Sequence, residues 1–276
     1  DKLFAQGVSE GKSIFVATGD VGTAAPVPST CGATKKPDIE ENAGSTHVTA
    51  VGASMFKPAY DTNGDVTSTI ADTVQSPWKY SRTTKIKNLG FLAAAGASTG
   101  GYSKIFPLPL WQEHVAGISG KFRAVPDLVL GGGTLGGTGV VTEKGNTIVI
   151  TGNLGPSPNF WVCLDEGFIA GSTTPEGSEC LTTGGTSIVP PQYGGLFAIV
   201  AQKNGKPSGL INPTLYAMAQ ANLKNPGAVG IVDIKTGNNA VTPVAGYAAK
   251  KGYDLASGWG SIDMTNFVNS FIAFTP

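Results

Sequence analysis

Short unbroken apolar runs recur along the chain: SIFVAT (13–18), HVTAVGA (47–53) and AVPDLVL (124–130). Each suits a strand buried on both faces, as in a parallel sheet. Helical spacing appears between and after them. Residues 1–10 place Leu3, Phe4 and Val8 on one face, and the span from Ser187 to about Gln202 reads as a helix. Prolines 190 and 191 fall in its first turn, where a missing N–H costs little. NPTLYAMAQAN (212–222) predicts a helix with Asn212 as N-cap and Pro213 at the first position. DMTNFVNSFIAF (263–274) predicts a closing helix with an Asp cap, and PLPLWQEHVAG (107–117) a short helix opened by prolines. GVVTEKG and NTIVITGN, over 139–153, predict a hairpin, and AVGIVDI (228–234) is strand-like. Residues 54–106 are polar and turn-rich, and GGGTLGGTG (131–139) is a loop, not a boundary. Strands alternating with helices predict an α/β protein with a mainly parallel central sheet flanked by helices.

Composition narrows the partners. Charged residues make up 14% of the 276, well below the usual quarter or so, and 19 basic residues balance 19 acidic ones. No global field draws in nucleic acid or anionic lipid, so binding must be set by a local site. No apolar stretch approaches the roughly 18 residues of a membrane span. The chain opens on DKLFAQGVSEGKS, with no initiator Met and no signal-like start, and reads as processed or cut. Cys163 and Cys180 bracket a Gly-, Ser- and Pro-rich loop, and a disulfide there is favoured over two free thiols. Closing that loop contributes roughly 3 kcal/mol by the chain-entropy model and implies an oxidising, extracytoplasmic setting. Cys31 is left over, as a buried thiol or a link to another chain.

Three stretches can carry chemistry. In GGTSIVPP (184–191), glycines allow a tight approach and a helix start supplies N–H groups for a developing oxyanion. Ser187 is therefore either a nucleophile or a plain N-cap, and local chemistry leaves the two level. In FVATGDVG (15–22), Asp20 stands at the C-terminal end of a buried strand, where α/β proteins place ligands, although a turn or cap role also fits. In VDIKTGNN and AKKGYDLASGWG, Asp233 and Asp254 stand among glycines and carbonyls, a donor set that suits calcium but also two ordinary turns. His47 and His114 are the only histidines, and both read as structural, so a Ser-His-Asp triad within this chain is doubtful.

The order of these pieces says more than any one of them. FVATGDVG, STHVTAVGAS, GASTGGYSKIFPLPLWQ, RAVPDLVL, GGTSIVPP, GLINPTLY, VDIKTGNN and GYDLASGWGS follow one another as in the sedolisins, the serine-carboxyl peptidases, which the chain resembles from about residue 1 to its end. The resemblance implies a subtilisin-like fold and endopeptidase activity in acid, with Ser187 as nucleophile and Asp20 in the oxyanion hole. It also implies one structural Ca2+ held by the carboxylates of Asp233 and Asp254 and the backbone carbonyls of Ile234, Lys250 and Gly252. The family usually has glycine where Lys250 stands, which a carbonyl ligand tolerates. TGDVG replaces the family's commoner Ser-Gly-Asp-Ser-Gly but keeps Asp20.

In the family a glutamate activates the serine and an aspartate orients it, both on one helix upstream of the FVATGD strand. That helix is missing here, so the pair is expected on a separate N-terminal chain of the same enzyme, or the chain is a fragment. Glu10, Glu40 and Glu41 fit no such pattern. The whole of 1–276 is expected to be one peptidase catalytic domain without its N-terminal part, and 131–183 a divergent insertion that a disulfide would close. A secreted or otherwise extracytoplasmic enzyme acting on protein or peptide substrates follows. The rivals are a subtilisin-type Ser-His-Asp protease with its other residues upstream, and an inactive homologue that binds or supports.

Overall fold

The computed structural model describes residues 1–27, 32–57, 59–63, 65, 67–69, 72–83, 96–134, 138–143, 146–151, 160–164, 179–241 and 244–274. For 24–27, 32–36, 80–83, 134, 138–143, 146–151, 160–164 and 179–183 only the backbone is described. Cys31 and the loop 165–178 lie outside the described residues.

The three apolar runs form the central sheet. Phe15–Ala17 and Leu128–Thr134 flank Thr49–Lys57 and pair with it in parallel, with Phe15 opposite Thr49 and Leu128 opposite Val51. Val74–Pro77 adds an antiparallel neighbour to the central strand. Residues 49–55 are buried without a break, because both faces of the strand are covered. Alternation sorts its side chains: Val51, Ala53 and Met55 join the main core, whereas Ala50 joins a smaller cluster with Ile39, Ala43 and Val125.

The main core is closed by three helices, Val189–Asn204, Asn212–Lys224 and Met264–Phe274. Tyr193, Leu196, Phe197 and Val200 are buried at i, i+3, i+4 and i+7, the spacing of one helix face. Phe197 lies 5.2 Å from Phe15 on the edge strand and 5.0 Å, edge to face, from Phe271 on the closing helix. Rings in these arrangements add about 0.5–1.5 kcal/mol per pair beyond their burial.

Three expectations are corrected. The 107–117 helix shrinks to a single 3-10 turn over Leu110–Gln112. The reason is a competing partner: the Gln112 amide donates to the Ala124 carbonyl at 2.7 Å and accepts the Ala124 N–H at 2.9 Å, tying the segment to a strand. His114 then takes φ 61°, outside any helix. The 124–130 strand is split into Phe122–Val125 and Leu128–Thr134 by a cis Val125–Pro126 peptide. Asn212 does not cap its helix. Its side chain accepts from Thr49 Oγ1 at 2.5 Å and donates to Asp127 Oδ2 at 3.1 Å, deep in the core.

That core network centres on Asp127. Its carboxylate accepts the Ala50 N–H at 2.7 Å and the Tyr216 hydroxyl at 2.7 Å, and it pairs with the fully buried Arg123 at 2.5 Å. Burial works against the Arg123 charge, but Asp127 beside it more than compensates and keeps it firmly protonated. The expected hairpin is present as Thr138–Glu143 paired with Asn146–Thr151. The Asp cap also holds: Asp263 Oδ1 accepts the Asn266 N–H at 3.2 Å.

Candidate active site

Two chain segments meet at the ends of the parallel strands. One is the turn after Phe15–Ala17, which carries Gly19 and Asp20. The other is Gly185–Ile188, which leads into the Val189–Asn204 helix. The carboxylate of Asp20 joins them. Its Oδ1 accepts both the Thr186 N–H and the Thr186 hydroxyl, each at 2.8 Å. Thr186 Oγ1 in turn accepts the Gly19 N–H at 3.2 Å, so the hydroxyl links one segment to the other.

Glycine is required at 185. Its φ of 112° suits no other residue well, and an added Cβ would lie 2.8 Å from Asp20 Oδ2. Its N–H bonds to the Gly132 carbonyl at 2.8 Å, which anchors the approach to the end of the Leu128–Thr134 strand. Thr186 is buried while Ser187, next along, is exposed. The turn therefore faces Thr186 inward onto Asp20 and displays Ser187 outward at a helix start. The N–H groups there lack intrahelical partners and carry the positive end of the helix dipole.

Burial pushes the Asp20 carboxyl above the ordinary carboxylate range, against the two Thr186 hydrogen bonds, which favour the charged form. The structure thus brings together Asp20 and the turn that carries Ser187, as the sequence suggested. The histidines stand apart: His47 meets Asp1 at 3.1 Å and His114 sits in its turn, and neither hydrogen-bonds to Ser187 or Asp20. Sequence reasoning missed Glu40. Its carboxyl packs over Gly19, where an added Cβ would fall 2.3 Å from Oε1, and burial and then the Asp20 charge push it upward. Only its place directly before the short helical turn Glu41–Gly44 hinted at this.

Asp233 and Asp254 share a second site through one loop. Asp254 Oδ2 accepts the Lys250 N–H at 2.9 Å and its Oδ1 the N–H groups of Ala256 and Ser257. Asp233 Oδ2 accepts the Gly252 N–H at 3.1 Å. Asp233 Oδ1 is buried without a hydrogen-bond partner among the described residues. Burial raises both carboxyls. An orphaned carboxylate oxygen, with a second carboxyl held by N–H groups of the same 250–257 loop, is a donor set that suits a hard cation. Among the described residues no three His, Cys, Asp or Glu side chains converge, so carbonyls would have to supply the other ligands.

No protein-family model matches the chain. Kumamolisin of Bacillus sp. (strain MN-32) is 36% identical over 167 residues, covering 60% of this chain and 24% of that protein. Sedolisin of Pseudomonas sp. (strain 101) is 26% identical over 269 residues, covering 96% of this chain and 35% of that protein. A solved structure of Pseudomonas sedolisin, a serine-carboxyl proteinase complexed with two molecules of pseudo-iodotyrostatin, superposes with a TM-score of 0.64 at 23% identity. The superposition covers 99% of this chain and 59% of that one. Fold and site define a subtilisin-like α/β protein that displays a serine at a helix start, next to a residue bonded to a half-buried carboxyl. The chain is similar to kumamolisin and sedolisin, and its partial coverage of both is consistent with a portion of such a catalytic domain. It spans between about a quarter and a third of the length of these two curated relatives.

Proposed function

We propose that the chain is the C-terminal part of the catalytic domain of an acid-acting serine-carboxyl endopeptidase. The observation that carries this is the Asp20 carboxyl bound to the N–H of Thr186, the residue before an outward-facing Ser187. Ser187 Oγ attacks the scissile carbonyl, and its proton passes to a glutamate outside this chain, oriented by an aspartate. The tetrahedral oxyanion forms against the Ser187 N–H and the protonated Asp20 carboxyl. A carboxylic acid can donate that hydrogen bond only while it keeps its proton, which burial favours. Collapse returns the proton to the leaving amine, and water then releases the acyl group by the same route in reverse.

A calcium ion would be held by Asp233 and Asp254 with the carbonyls of Ile234, Lys250 and Gly252. It would supply charge balance for a buried and a half-buried carboxylate and fasten the loop 250–254 to the strand end at Val232. The hairpin Phe160–Leu164 with Glu179–Thr183 sets Cys163 directly opposite Cys180. Opposed residues of an antiparallel pair lie about 4.5–5.5 Å apart at Cα, inside the disulfide range. We therefore retain that bond, the closed insertion over 131–183, and a secreted setting as parts of the reading. Among the described residues no helix is long and apolar enough to cross a membrane.

The test is Ser187→Ala in the full-length protein. Hydrolysis of a peptide at acid pH is expected to vanish while the thermal melt stays within a degree or so of wild type. Undiminished turnover would remove Ser187 from the mechanism. A rate profile high near pH 4 and lost by neutrality separates the carboxylate base from a histidine, which is protonated in acid.

A further inference from the structure

Three acidic side chains crowd the segment 38–41, and two of them are paired. Asp38 meets Lys104 Nζ at 2.5 Å. Glu41 accepts the Ser103 hydroxyl at 2.6 Å and the Lys104 N–H at 3.0 Å. Glu40 is half-buried and its carboxylate makes no hydrogen bond or ion pair among the described residues. It lies instead against Gly19, the residue next to Asp20. The buried hydroxyl of Thr99 reaches the same space, 3.1 Å from a Cβ added at Gly19, while accepting the Val21 N–H at 3.2 Å. A carboxylate and a hydroxyl thus converge over Gly19 beside the proposed oxyanion donor. A half-buried charge without a partner is costly, and a cation supplied by a ligand would relieve it.

We propose that Glu40 determines specificity, its carboxylate receiving the lysine or arginine side chain of the substrate residue that contributes the scissile carbonyl. This rests on the peptidase reading above. With the carbonyl held between Ser187 and Asp20, the residue before the bond lies alongside Gly19–Asp20, and its side chain runs over Gly19, which offers no side chain of its own. Asp38 and Glu41 flank Glu40 on its own segment but are engaged with Lys104 on a neighbouring one, and Asp20 faces it from across Gly19. Glu40 holds a cation only when ionised. Burial and Asp20 both raise its titration, so the preference for lysine should strengthen as pH rises and fade in stronger acid.

The experiment uses the full-length protein and two peptides that differ only in lysine or norleucine before the scissile bond. Near the upper end of the active pH range, kcat/KM is expected to favour lysine by about tenfold or more, and Glu40→Gln to bring the ratio within about twofold. Glu40→Lys should turn preference toward glutamate at that position, which keeps the idea testable if the glutamine variant folds poorly. A lysine preference that survives both substitutions, or none in wild type, overturns the assignment. Dissociation constants of the same peptides for Ser187→Ala separate the two readings. Hydrolysis without discrimination sinks Glu40 alone, whereas discrimination in binding by a protein that never cleaves sinks the peptidase and leaves the cation pocket.

Discussion

Thr186 explains why a carboxylate stands at position 20. Its N–H and hydroxyl both point at Asp20 Oδ1, and they leave Oδ2 against Gly185, facing the turn that carries Ser187. Truncation by Asp20→Ala removes the proposed oxyanion donor and is expected to lower kcat by about 10²–10³, as for other such donors, with a smaller effect on KM. A near-wild-type kcat would reduce Asp20 to a turn residue. Asp20→Asn makes a sharper test, because an amide donates at every pH. Wild type should lose activity as pH rises through the Asp20 titration, while the asparagine variant should lack that limb. The sign of the stability term is the same. Asp20 titrates higher folded than unfolded, so its contribution is fully present below the unfolded value of about 3.9 and is lost as pH rises through the folded one.

At the scale of elements, sequence pattern and structure agree where burial alone decides. The central strand and the three long helices are legible because uninterrupted apolar runs and i, i+3, i+4 spacing follow directly from being covered, and Phe15–Ala17 is legible from its apolar run although it is only part-buried. They part where a distant partner competes. Asn212 before Pro213 has the look of an N-cap, yet Thr49 and Asp127 claim its amide from 163 and 85 residues away. Gln112 likewise leaves a helix for Ala124. The site divides in the same way: motif order pairs Asp20 with the turn that carries Ser187, which the Thr186 hydrogen bonds match, but it does not point to Glu40, whose neighbour Gly19 is brought to it only by the fold. Asn212→Ser, which would preserve a cap, should therefore destabilise by about 1–3 kcal/mol, as much as Asn212→Ala, in urea unfolding. A serine variant as stable as wild type would restore the cap. The Cys163–Cys180 hairpin yields a further check. Non-reducing digestion should release one peptide joining the two residues, and recovery of both as free thiols would remove the disulfide.

At the scale of the whole molecule, two regions take charge out of water, and they answer it differently. Arg123 and Asp127 balance each other inside the core, so that region needs nothing from outside. The loop over Asp233 and Asp254 leaves room for more: one Asp233 oxygen has no hydrogen-bond partner among the described residues, backbone N–H groups and the Ser257 hydroxyl answer the rest, and the charges of Lys235 and Lys251 offset only part of the cost of burying Asp233. The loop also adjoins the core through Tyr253 and Trp259, whose rings lie 5.6 Å apart and against Tyr216. A cation bound there would hold the C-terminal third to the sheet, because Gly260 passes its carbonyl to the Val129 N–H at 2.9 Å on the strand that leads to Gly132 and Gly185. Loss of the ion should thus be felt in stability first and in alignment of the Ser187 turn second. A ligand at 100 times its dissociation constant stabilises the native state by about 2.7 kcal/mol if the unfolded chain does not bind it. Chelation, with metal loss verified by elemental analysis, is therefore expected to lower Tm by several degrees, and added calcium to restore it. Asp233→Asn should abolish the calcium response while leaving the protein folded. An unchanged Tm on verified metal loss, or a calcium response that survives Asp233→Asn, would refute the site.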